Sequence, residues 1–325
     1  MNKLESNSAP DVRIIAETAS KFSDNTGNII VGKKEAIELV FVALLCEGHI
    51  LIEDVPGIGK TLLAKTTARS LDCSFKRIQC TPDLLPSDVT GIHFFNQRTG
   101  EFELRPGPIV ANVVLADEIN RATPRTQSCL LESMQEQQVT VDLETIPLPR
   151  PFMVIATQNP IELEGTFPLP EAQLDRFLLK IQLGYPTQDE EEAILYRFQQ
   201  ANPLDILKSV LHVNELLQLQ KLCRQVYTEN SVRTYITEIA RSTRGHKDIK
   251  LGASPRATLG LHLAAQGLAA IRGRGYVLPD DVKYLAPAVL AHRITPKREV
   301  ILRGHSSEDI IREIIAGIPV PVESS

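Results

Sequence analysis

The chain has 325 residues, 43% hydrophobic and 23% charged, with a net charge of -5. That length favours one large domain plus a smaller one, and that composition belongs to a globular protein and not to a disordered one. The acidic balance, without any Lys/Arg block, argues against a nucleic-acid groove.

The first residues, MNKLESNSAP, are polar and end in proline, so residues 1–10 read as a flexible tail with structure beginning near Asp11. The apolar run Leu39 to Cys46 is broken by Glu47, Gly48 and His49 before it could cross a bilayer, and no signal pattern precedes it. Neither membrane insertion nor export is expected. Five cysteines (Cys46, Cys73, Cys80, Cys129, Cys223) lack any C-x-x-C spacing and read as buried thiols in a reducing cytoplasm, outside any disulfide framework or zinc site.

Between residues 11 and 185, short Val/Ile/Leu runs recur between helical stretches: His49 to Glu53, Ser74 to Cys80, Asn112 to Ala116, Phe152 to Thr157 and Phe177 to Leu183. Unbroken apolar strands of this kind predict an α/β fold, a five-stranded parallel sheet with helices on both faces. Two segments interrupt the alternation and read as hairpins, Val89 to Arg105, turning at Asn96 to Gly100, and Gln138 to Pro147. After Gly184-Tyr185-Pro186 the periodicity becomes helical, over Glu190 to Gln200, Val213 to Tyr227, Ser254 to Arg272 and Pro279 to Ile294. Residues 186–325 are therefore expected to form a smaller α-helical second domain.

The segment IEDVPGIGKT, Ile52 to Thr61, follows the first strand and opens the helix KTLLAKTTARSL, the setting a phosphate-binding loop requires. Gly57 and Gly59 permit the bend that turns backbone N–H groups toward phosphates, with Val55, Pro56, Ile58 and Leu62 completing the cradle. Lys60 is placed to neutralise the β- and γ-phosphates, and the Thr61 hydroxyl to ligate Mg²⁺. Asp54 stands where the general pattern has glycine. The third strand runs into Asp117-Glu118 at the sheet's carboxyl edge, which suits Asp117 to the Mg²⁺ shell and Glu118 to polarising water for attack on the γ-phosphate. The fourth strand ends Ala156-Thr157-Gln158-Asn159, where Asn159 can orient that water or simply form a turn before Pro160. No N-K-x-D guanine signature follows this strand, so ATP, with ADP as product, is expected over GTP.

These residues resemble AAA+ ATPases and, among them, the MoxR family. The resemblance is carried by EDVPGIGKT, by LADEINRATPRTQSCLLESMQEQQVTV (Leu115 to Val141), by ATQNPIELEGTFPLPEAQLDRF (Ala156 to Phe177) and by the later GASPRA. It implies that Asn159 is sensor 1, that Arg176 is an arginine finger entering a neighbour's site, that Arg256 is sensor 2, and that Ile30-Val31-Gly32 meets adenine. The first hairpin then resembles the helix-2 insertion and the second the hairpin before sensor 1. Spacing alone supports Arg256, because Ser254-Pro255-Arg256 reads as N-cap, N1 and N2 of a helix. For Arg176, spacing alone favours a surface ion pair with Asp175 or Glu171 over an arginine finger.

The resemblance further implies a homo-oligomer, a hexameric ring, acting as a chaperone-like remodeller of partner proteins, including von Willebrand factor A domain proteins. A metal-chelatase motor subunit shares the hairpin insertion and is the alternative; a helicase or transcription-activator motor lacks a helix-turn-helix, a basic run or a GAFTGA-like loop here. The seven histidines show no metal-ligand spacing. Phe94 and Phe95 suit either a substrate grip or packing on the hairpin itself, and PLPRP (Pro147 to Pro151) reads as a rigid lead into a strand.

Overall fold

The computed structural model describes residues 11–142, 144–161, 165–199 and 203–321; the expected tail at 1–10 lies outside them. The strands are β1 (Ile50–Glu53), β2 (Phe75–Gln79), β3 (Gly91–Asn96), β4 (Glu101–Pro106), β5 (Val113–Asp117), β6 (Gln138–Val141), β7 (Glu144–Pro147), β8 (Met153–Gln158), β9 (Leu179–Ile181), β10 (Ile249–Leu251) and β11 (Thr295–Pro296). The helices are α1 (Arg13–Gly27), α2 (Lys34–Leu45), α3 (Lys60–Ser70), α4 (Pro86–Thr90), α5 (Pro124–Glu136), α6 (Glu171–Leu174), α7 (Gln188–Phe198), α8 (Pro203–Ile206), α9 (Val213–Cys223), α10 (Asn230–Gly245), α11 (Pro255–Ile271), α12 (Pro279–Leu290), α13 (Arg298–Leu302) and α14 (Ser307–Gly317).

Five strands form one parallel sheet in the order β2-β5-β8-β1-β9. Because β5 and β8 are central and covered on both faces, every residue of Val113–Ala116 and Met153–Thr157 is buried. The register pairs Gln79 with Asp117, Ala116 with Ala156, and Glu53 with Gln158, so four strands end level and deliver their last side chains to one edge. Both hairpins form as expected, β3 with β4 and β6 with β7. Phe95 and Phe102 face each other across the first, ring centroids 5.4 Å apart, yet stay 52% and 73% exposed.

The chain divides into two compact units, Lys21–Leu217 and Gln218–Ser325, the second including the start of α1 up to Ser20. Helical periodicity does begin after residue 185, but this boundary falls later than the 185/186 division read from the pattern. Hydrogen bonds explain the difference: Val210 N–H donates to the Ser70 carbonyl at 2.9 Å, Asn25 to the Lys208 carbonyl at 3.0 Å, and Arg197 to the Gly27 and Asn28 carbonyls at 2.8 and 2.7 Å. These tie residues 186–217 to the sheet unit.

In the helical unit, α10, α11, α12 and α14 pack together, and β10 pairs antiparallel with β11. The buried Asp281 carboxylate accepts hydrogen bonds from Arg274 at 2.6 and 2.8 Å, from Arg272 at 3.2 Å and from Leu278 N–H at 2.9 Å, pinning the start of α12 to the turn after α11. Of the cysteines, Cys80 and Cys223 are buried and Cys46, Cys73 and Cys129 half-buried, a correction to the uniformly buried reading. Burial pushes the Cys73 and Cys80 thiols up to about 12, which leaves both unreactive. No helix among the described residues is long and apolar enough to cross a membrane.

Candidate active site

After β1 the chain turns through Asp54–Gly59 into α3. Gly57 and Gly59 have φ of 86° and 93°, and a Cβ on either would meet nothing within 4 Å, so the backbone angle and not space requires glycine there. Gly59 is the N-cap of α3, whose first-turn N–H groups give the loop its positive end. Pro56 is exposed, while Val55, Ile58, Thr61 and Leu62 are half-buried around the loop. Lys60 Nζ donates to the Asp54 carbonyl at 2.5 Å. Burial lowers the Lys60 pKa, and the charges of Asp54, Asp117 and Glu118 oppose that shift; the ammonium thus sits within the field of both carboxylates that end β5.

Those carboxylates are held from the neighbouring strands. Thr157, at the end of β8, donates its hydroxyl to Asp117 Oδ1 at 2.6 Å and accepts the Glu118 N–H at 2.8 Å. On the other side, Arg77 of β2 donates to Asp117 Oδ2 through Nη2 at 2.6 Å and Nε at 3.1 Å, and also bonds Gln79. Gln79 donates to Glu118 Oε2 at 3.3 Å, and Arg121 Nε lies 3.3 Å from the same oxygen. Glu118 itself has φ of 56°, a left-handed conformation that a non-glycine residue keeps only where its surroundings impose it.

Asn159 lies half-buried just beyond β8, where its Oδ1 accepts the Ile161 N–H at 3.2 Å, so it does shape a turn at the same edge. Arg176 follows α6 and donates to the Leu131 carbonyl of α5 at 2.6 Å. Val31 and Gly32 precede α2, Gly32 with φ of 75°. Arg256 occupies N2 of α11, behind the Ser254 cap that accepts Ala257 N–H, as the sequence indicated, and belongs to the other compact unit. The sequence reading missed Thr157, Arg77 and Gln79. Thr157 is a polar residue closing a buried apolar run, and Arg77 and Gln79 alternate on one face of β2; both are signals that a search for partners of Asp117-Glu118 would have found. Grooves of about 440 and 720 Å³ run along α10, lined by Arg233, Thr237 and Arg241, but they hold neither a glycine loop nor an acidic pair.

A parallel sheet carrying a glycine loop, a lysine and an acidic pair at one carboxyl edge defines a P-loop nucleotide-hydrolysing enzyme. Residues 49–179 match the ATPase family associated with various cellular activities (AAA), and residues 241–314 match the AAA lid domain. YeaC of Bacillus subtilis is 49% identical over 94% of this chain and 95% of its own length, and Chaperone MoxR1 of Mycobacterium tuberculosis is 44% identical over 90% and 80%. The crystal structure of a Cytophaga hutchinsonii protein described as an ATPase superposes with a TM-score of 0.90 at 39% identity, covering 96% of this chain and 97% of that one. The chain belongs to the MoxR family of AAA+ ATPases, and its reaction is ATP hydrolysis.

Proposed function

We propose that ATP is bound and cleaved at the edge formed by the Asp54–Thr61 loop, Asp117, Glu118 and Asn159. One observation carries this reading: a single hydroxyl, that of Thr157, fixes both the Asp117 carboxylate and the Glu118 backbone, while Lys60 feels the charge of both residues. The Thr61 hydroxyl and the Asp117 carboxylate are hard oxygen donors, few in number, which suits Mg²⁺ sharing its shell with water and phosphates. When bound there, the ion offsets charge on the phosphate oxygens. Lys60 exchanges its bond to the Asp54 carbonyl for the phosphates. Glu118 takes the proton of the attacking water, which Asn159 orients.

Arg176 acts on the ATP of a neighbouring subunit and Arg256 on the phosphates, with Val31 and Gly32 against adenine. Function then requires a homo-oligomer, for which a hexameric ring is the reading. The working role is that of a cytoplasmic, chaperone-like remodeller of a partner protein, with a von Willebrand factor A domain protein as the first choice. The chaperone name of the Mycobacterium relative and the exposed Phe95 and Phe102 support it.

Isothermal titration with ATP and Mg²⁺ tests the site. Lys60→Ala is expected to abolish binding, whereas Glu118→Gln keeps binding and stops turnover because its amide cannot accept a proton. Normal turnover by Glu118→Gln would remove Glu118 from the role of base.

A further inference from the structure

The phosphate loop departs from the general pattern at Asp54, and the structure gives that carboxylate a task glycine could not perform. Its Oδ1 accepts Val55 N–H at 2.9 Å, and its Oδ2 accepts both Leu183 N–H and Gly184 N–H at 2.7 Å. Hydrogen bonds to an ionised acceptor are stronger than neutral ones. They join the start of the phosphate loop to the stretch that leaves β9.

The next residue along that stretch is held from a different direction. Lys33 Nζ donates to the Tyr185 carbonyl at 3.0 Å and lies 3.7 Å from Glu190 Oε2, which in turn accepts Thr187 N–H at 2.9 Å. Gly32 lies so close beneath Glu190 that a Cβ there would come within 1.7 Å of Oε1. Residues 183–190 therefore form a strap with one end on the phosphate loop and the other on the Gly32-Lys33 segment before α2.

We propose that Asp54 is a positioning residue for the nucleoside half of the nucleotide: by anchoring Leu183 and Gly184, it sets the strap against Gly32 and Lys33 and so shapes the place where the purine sits. This rests on the reading of Val31 and Gly32 as the adenine side. Asp54 serves base recognition through the strap, while the glycines and Lys60 serve the phosphates.

Two ligands separate these contributions: Mg-ATP, and Mg-tripolyphosphate, which offers the phosphate chain without a nucleoside. Dissociation constants for both are measured on the full chain as wild type, Asp54→Gly, Asp54→Asn and Gly32→Ala. Asp54→Gly and Gly32→Ala are expected to weaken ATP by about tenfold or more while changing tripolyphosphate by less than about threefold. Asp54→Asn retains one acceptor oxygen and should fall between wild type and Asp54→Gly; it carries the comparison if the glycine variant does not fold. An equal loss of both ligands, or no loss of ATP in the Asp54 variants, overturns the proposal, since Asp54 would then serve the loop alone or nothing. Lys60→Ala controls for the site itself: it must lose both ligands, and retention of both would refute the phosphate-loop reading instead.

Discussion

Thr157 and Asp117 share a 2.6 Å hydrogen bond in which the hydroxyl donates, and the same oxygen accepts the Glu118 N–H at 2.8 Å. Thr157→Val keeps the shape of the side chain but removes both bonds, leaving the Glu118 N–H without its partner and the Asp117 carboxylate held from the Arg77 side alone. ATP affinity should change by less than about threefold while kcat falls by about tenfold or more, and Thr157→Ser should recover most of the rate. Steady-state ATPase assays beside nucleotide titrations check this; equal losses in affinity and rate would make Thr157 a general structural residue.

Arg176 is predicted to act in trans. Arg176→Ala should bind ATP yet hardly hydrolyse it, an effect of about 10³ to 10⁵ in related phosphoryl transfers. Glu118→Gln subunits lack the base but offer an intact Arg176, so co-expressing the two inactive variants should restore activity at the interfaces that pair them correctly. If mixed assemblies form and no ratio exceeds the parents, Arg176 works within its own subunit or only holds its bond to the Leu131 carbonyl.

His49 makes the sheet unit sensitive to acid. Its Nε2 lies 3.1 Å from the Met134 carbonyl and its Nδ1 accepts Val154 N–H at 3.0 Å, so it is buried as the neutral imidazole. Burial lowers its pKa from 6.5 to about 4. Below pH 6.5 the unfolded chain takes up a proton that the folded chain refuses, so stability falls as pH drops and the loss is complete near pH 4, at about 3 kcal/mol. Denaturant titrations across that range should show a shallower acid limb in His49→Asn; identical limbs would contradict the assignment.

Asp281 anchors the helical unit. Its removal deprives Arg272, Arg274 and the Leu278 N–H of a shared buried acceptor; because both guanidinium groups reach solvent, the cost is about 1 to 3 kcal/mol. Asp281→Ala should therefore lower the melting transition of that unit, measured by calorimetry. A change within the error of the wild type would show that water reaches and compensates the arginines.

What could be read before the fold was known follows from how local each signal is. The Val/Ile/Leu runs at β1, β5 and β8 declare themselves because strands buried on both faces tolerate nothing else, and the Gly57-x-Gly59-Lys60-Thr61 spacing is set by one turn of backbone. The Ser254 cap placed Arg256 at N2 for the same reason. The unit boundary was not legible, because it depends on bonds from Val210, Asn25 and Arg197 to carbonyls far away in the sequence. Neither was the purpose of Asp54, whose partners at Leu183 and Gly184 meet it only through the pairing of β1 with β9.

His93 on the first hairpin stands between two carboxylates of the second, with Nδ1 2.9 Å from Asp142 and Nε2 3.5 Å from Glu144. The two hairpins are thereby joined by side-chain contacts, and the first of them carries Phe95 and Phe102. The second hairpin returns along β7 to Leu148, whose N–H bonds the Gln137 carbonyl at 2.9 Å, and leads into β8. That strand ends beside Thr157, so the side-chain contact at His93 links the hairpin bearing the aromatic pair to the strand whose hydroxyl holds Asp117 and the Glu118 backbone.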